Sequence, residues 1–263
     1  GELDLRGWEW RYLWQYCRSD STSVLTAEPM TEARLTVSAD GEWLATAQSL
    51  PDTVKLWNLR TRQPTTVPLP ADCTWPVAAF VPHQPWLVIG WAVGKDFRTQ
   101  KGRIRLWNFV TQQVVSEWEL DRGLVQLAIA EDGKTLLSRQ SSPSSVTIWR
   151  VPTGERVQRH AASGSSTPHA VTRDLKLAAR EVNSGAIQVE DYTETPPLGE
   201  SKTRWKSPPA PGRIKSLAFS LYGKILAAAS DNVASTITLR ETETGREIGA
   251  MTGHGSNVNA MVF

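Results

Sequence analysis

The sequence is short of the residues that usually announce chemistry. Only two cysteines, Cys17 and Cys73, and four histidines occur in 263 residues. The cysteines stand far apart without a CxxC spacing, so neither a disulfide framework nor a cysteine-ligated zinc site is indicated. A reducing, cytoplasmic setting is expected on the same ground. His83, His160, His169 and His254 fall in separate stretches with no carboxylate or thiol at ligand spacing, and no metal centre or catalytic histidine is expected. GxSxG, P-loop, HExxH and dinucleotide patterns are missing. The serine-rich residues 141–144 and 163–166 read as loops, because serine without a positioned base is not an activated nucleophile. No cofactor is expected. A surplus of one charge is lacking too: 29 basic and 27 acidic residues are interspersed and leave a net charge of +2, which offers no dedicated nucleic-acid surface. No apolar run approaches the ~20 residues of a membrane-spanning helix, and the acidic, Trp-rich start is not a signal peptide. A membrane anchor, if the parent protein has one, is expected outside this stretch.

What is present is a repeat. Twelve Trp against five Phe and four Tyr is an unusual ratio, and three of those Trp close the same strand pattern. Thr53-Val54-Lys55-Leu56-Trp57-Asn58 returns as Arg103-Ile104-Arg105-Leu106-Trp107-Asn108 and as Ser145-Val146-Thr147-Ile148-Trp149-Arg150. Alternation of branched apolar with polar residues is the period of two of a half-buried strand. Glu190 and Arg240 stand where Trp would in two weaker copies, so the equivalent positions are spaced by about 50, 42, 41 and 50 residues, the length of a four-stranded propeller blade. The expected fold is all-β: a β-propeller of four-stranded antiparallel blades, five of them complete, with a sixth that begins at Gly253-His254 and stops after its first strand. Residues 1–22 are expected to form a helical segment and linker, with helical spacing of Trp10, Leu13, Trp14 and Cys17, and residues 23–263 the propeller. The ring is expected to be incomplete, with Val24-Leu25-Thr26 as a candidate closing strand.

These residues resemble the WD-repeat propeller family. Ser38-Ala39-Asp40-Gly41 followed by Val54-Lys55-Leu56-Trp57-Asn58, and Gly253-His254 followed by Val258-Asn259-Ala260-Met261-Val262-Phe263, carry the likeness. Gly-His occurs only once, and the Asp of Trp-Asp is replaced by Asn58, Asn108 and Arg150, so the family's buried His, Asp, Ser and Trp network is expected to be incomplete in every blade. For His254 the resemblance implies a structural hydrogen-bond donor. Residues 7–14 are similar to a segment ahead of the propeller in large bacterial regulators that carry a serine/threonine protein kinase, and no kinase motif lies in this chain. The resemblance implies a non-enzymatic interaction scaffold. Two alternatives stay open: a propeller enzyme or small-ligand binder using the central channel, and a periplasmic translocation-associated propeller.

The expected partner is a protein or peptide, acidic or phosphorylated, bound on the face built from second-to-third-strand loops and blade-to-blade links. Residues 94–102 form the second-to-third-strand loop of the second repeat, longer than its counterparts at residues 49–52 and 183–185, and contribute Lys95, Phe97, Arg98 and Lys101; Trp75, Arg122 and Arg213 lie in links expected to reach the same face. An aromatic and Arg set of this kind dominates interface energetics, and guanidinium forks match carboxylate and phosphate oxygens.

Overall fold

An extended chain with one apolar face buries it only by stacking against another sheet. The computed structural model describes residues 25, 34–49, 51–94, 100–140, 145–161, 169–182, 185–193, 202–210, 212–231, 236–254 and 256–263. Two compact units are distinguished, Gly1–Met30 and Thr31–Phe263. Within the first only Leu25 is described, in a bend. The expected helix, the linker and the rest of the candidate closing strand therefore lie outside the described residues.

The second unit is all-β, with no helix among its described residues and so none long and apolar enough to cross a membrane. Five four-stranded sheets follow in chain order. The first holds β1 (Arg34–Val37), β2 (Trp43–Ser49), β3 (Asp52–Asn58) and β4 (Pro64–Thr66); the second β5 (Cys73–Phe80), β6 (Trp86–Val93), β7 (Lys101–Asn108) and β8 (Gln113–Leu120). The third holds β9 (Leu124–Ile129), β10 (Thr135–Gln140), β11 (Ser145–Arg150) and β12 (Glu155–Ala161); the fourth β13 (His169–Val171), β14 (Leu177–Val182), β15 (Ala186–Asp191) and β16 (Lys202–Lys206). The fifth comprises β17 (Ile214–Phe219), β18 (Ile225–Ser230), β19 (Ile237–Glu241) and β20 (Glu247–Met251). Every pairing is antiparallel between consecutive strands, which is the blade architecture of a propeller. First strands stand side by side, β1 with β5, β5 with β9 and β13 with β17. Among the described residues, no sheet pairing joins the fifth blade to the first.

This topology sorts the connections. Hairpins between first and second and between third and fourth strands emerge at one edge of the blades, here the hairpin edge. Second-to-third-strand hairpins and blade-to-blade links emerge at the other, the link edge. Between the edges, Trp57, Trp107 and Trp149 are 4%, 2% and 7% exposed and sit at one ladder position, opposite Leu44, Leu87 and Leu136. Four blades carry a bulge between third and fourth strands at that position, beside Trp107, Trp149, Glu190 and Arg240; such bulges increase local twist.

Blade four has its expected fourth strand, β16, although its Lys-Thr-Arg-Trp-Lys is mostly exposed. The structure departs from the sequence reading in two places. Both β5 and β7 begin earlier than expected, so that Trp75 and Lys101 are strand residues rather than loop residues. The sixth blade's first strand does not form: residues 252–254 and 256–263 contain no strand. A strand needs a neighbour for its backbone groups, and the chain instead lays Val258 and Met261 on Ala227, Ala229 and Ile237 of blade five. His254 is exposed.

Candidate functional site

At the link edge, Trp75 occupies the register shift between Thr74 and Val77, where β5 pairs irregularly with β6. Its backbone is left-handed, φ 49°, and its N–H donates to Asp52 Oδ1 of blade one at 2.7 Å. A bulky residue takes this conformation only when its surroundings hold it there. The bulge and the Asp52 anchor together leave the indole 45% exposed.

Lys101, exposed, opens β7 opposite Val93. Its neighbour Gly102 approaches the next link so closely that a Cβ there would lie 2.6 Å from the Arg122 carbonyl oxygen. That contact places the start of β7 and half-buried Arg122 at the junction of blades two and three. Arg213 stands elsewhere, on the link into blade five, where its N–H donates to Asp231 Oδ1 at 2.6 Å. This bond, with Lys215 Nζ at 3.2 Å, holds the Asp231 carboxyl below the usual range. The expected set is thus divided over three blade junctions. Lys95, Phe97 and Arg98 lie outside the described residues.

Sequence reasoning missed the densest polar cluster. In blades one and three the Trp indole donates to a hydroxyl on the second strand, Trp57 Nε1 to Thr46 Oγ1 at 3.3 Å and Trp149 Nε1 to Ser138 Oγ at 2.7 Å. Blade four reverses the polarity of that pair. Glu190 replaces Trp, Arg180 replaces the hydroxyl residue, and Arg180 Nη2 meets Glu190 Oε1 at 2.7 Å with side chains 4% and 2% exposed. Tyr192 Oη donates to Glu190 Oε2 at 3.2 Å, and Gln188 Nε2 to Glu190 Oε1 at 3.1 Å.

Blade three supplies the other side. The register Arg139↔Val146↔His160 sets Arg139 and His160 on one face of its sheet, the face shared with the Leu137 and Val146 core that packs on Tyr192. His160 stacks on Tyr192 with ring centroids 4.9 Å apart, and its Nε2 lies 3.2 Å from Gln158 Oε1. Arg139 Nη1 and His160 Nδ1 are buried with no hydrogen-bond partner. Burial lowers the Arg139 and His160 pKa values; burial and the Glu190 charge raise that of Tyr192. Among the described residues Arg180 alone pairs with the carboxylate, while Arg139 feels its charge without a bond to it.

Groups buried this deeply specify how two blades meet rather than present a reactive atom to a substrate. A buried ion pair serves specificity better than net stability, since desolvation offsets the Coulombic gain. The signal was in the sequence: a Glu at an inward strand position needs a cation, and Arg180 lies on the neighbouring strand. Among the described residues no group of three His, Cys, Asp or Glu is placed to hold a metal ion.

Comparison with known family models finds none that matches the chain, and comparison with curated proteins finds no significant relative.

Proposed function

We propose that this chain is a non-enzymatic interaction scaffold of the WD-repeat type, part of a larger bacterial regulatory protein, that binds an acidic or phosphorylated peptide at its link edge. The observation that carries this reading is Trp75: a large aromatic held 45% exposed by a bulge and the Asp52 anchor. Exposed, rigidly held aromatics are the residues that anchor interfaces. Lys101 and Arg122 add cationic character one junction away. The alternative of a channel enzyme or ligand binder needs titratable groups open to a cavity, whereas the convergent set of Arg139, His160, Arg180 and Glu190 is 1–3% exposed. The closed setting of that cluster favours the scaffold.

A labelled peptide array with acidic, phosphoserine and neutral members tests the proposal. Acidic or phosphorylated members should bind, and Trp75→Asn should weaken the best of them by about 2 kcal/mol, near thirtyfold, the scale of a lost anchor. Asn tolerates the left-handed backbone that Trp75 adopts, so the fold is kept. No preference for acidic members, or unchanged affinity in the variant, overturns the reading.

A further inference from the structure

Two clefts open on the hairpin edge, and they differ in charge. One, of about 490 Å³, reaches from blade three to blade five. Its cations are already paired, Arg173 with Glu131 at 3.5 Å, Lys176 with Asp174 at 3.5 Å and Arg204 with Glu243 at 2.8 Å. The other, of about 620 Å³, lies between blades one and two. Its walls include Trp43, Phe80 and Phe109, in mutual contact with ring centroids 5.1 Å and 5.8 Å apart. Val110 stands at its rim, 68% exposed. Among the described residues that line it, Asp40 is the one acidic residue and none is Lys or Arg.

Asp40 Oδ1 accepts from the Ser38 hydroxyl and from the Glu42 N–H. These bonds hold the carboxyl below its usual range, so it is ionised at neutral pH. Among the described residues, no other residue donates a hydrogen bond or an ion pair to Oδ2. Among the described residues, the cleft thus pairs an aromatic floor with one carboxylate that no Lys or Arg pairs.

We propose that this cleft receives a lysine or arginine side chain of a partner peptide, its aliphatic stem on the Trp43, Phe80 and Phe109 floor and its charged end at Asp40 Oδ2. Long cationic side chains bury their stems on apolar surface while the charge stays near water, and a cation beside aromatic rings is further favoured. An aliphatic occupant would cover Asp40 without pairing it, which costs solvation. An acidic occupant would be repelled. This surface lies at the opposite edge from Trp75 and prefers the opposite charge, so the two sites fail or hold independently.

The test follows the Trp43 indole N–H by NMR, assigned with Trp43→Phe, while N-acetyl methylamides of Arg, Lys, norleucine and Glu are added at constant ionic strength. Arg and Lys derivatives should shift it saturably and bind about threefold more tightly than norleucine, the range of one exposed ion pair. The Glu derivative should not bind. Asp40→Asn keeps the acceptor for Ser38 and Glu42, and should reduce Arg and Lys to the level of norleucine. Equal binding of norleucine would identify an apolar dock, and shifts that depend on protein concentration alone would identify a second copy as occupant; either overturns the proposal. So does an Asp40→Asn variant that still prefers cations.

Discussion

His160 is 1% exposed, stacked on Tyr192 and bonded only through Nε2. It meets Tyr192 and the charge of Glu190 from blade four and shares its own sheet face with Gln158 and Arg139. Burial holds the ring neutral and outweighs the upward pull of Glu190, so its pKa lies below the ordinary 6.5. The sign of the pH effect follows. As pH falls through 6.5 the unfolded chain takes up a proton that the folded chain refuses, so stability is present above that value and declines below it until the folded pKa is reached. Protonation would also add a cation to a setting that already holds Arg139, Arg180 and one carboxylate, Glu190. Thermal melts at fixed ionic strength should show the wild-type midpoint falling from about pH 6.5 downward, and His160→Gln should remove that part of the slope. Equal slopes in the two proteins would show that His160 is not the group responsible.

At the scale of the element, blades are fastened by a Trp on one fourth strand laid over the third hairpin of the next blade. Trp118 of β8 covers Gly154, and Trp205 of β16 covers Gly245 while its Nε1 donates to the Thr242 carbonyl at 2.6 Å. Both glycines are left-handed, φ 70° and 74°. A Cβ on Gly154 would lie 2.7 Å from the Trp118 ring, so Gly154→Ala meets both backbone strain and overlap. Together these should cost about 1–3 kcal/mol, seen as a lower urea midpoint. Gly249→Ala, where a Cβ meets nothing within 4 Å, should leave the midpoint nearly unchanged. Equal midpoints for the two variants would count against this fastening. Neither Trp118 nor Trp205 announces the contact in sequence, because the partner belongs to the following repeat. Strand periodicity was legible, since it depends on neighbours a few residues apart. Trp75 was legible as a candidate, but its bulge and its Asp52 anchor were not, because that bond spans 23 residues. The Arg180 and Glu190 pair escaped for a related reason: Arg in a strand reads as a solvated position until its cross-strand neighbour is known.

For the whole molecule, the consequence lies in its two terminal sheets. β1 of blade one exposes Leu35 at 64% and Val37 at 54%, and β20 of blade five exposes Ile248 at 47% and Met251 at 48%. Among the described residues both are edge strands of their sheets, and no sheet pairing links the two blades. Edge strands with exposed apolar side chains and unpaired backbone groups favour association with another chain. The outer face of blade five adds to this, since its Ala227, Ala229 and Ile237 core is covered in part by Val258 and Met261 from a segment with no strand of its own. Sedimentation velocity from about 5 to 100 μM, a range chosen to bracket weak contacts of this size, should show mass rising with concentration. The paired change Leu35→Lys and Val37→Glu places charge on that edge, the natural protection of such strands. It should reduce association without lowering the melting midpoint, because both side chains already face water. A single monomeric species in wild type across that range would exclude edge-driven assembly. An unchanged assembly in the double variant would transfer the contact to blade five, where Met251→Lys is the corresponding change.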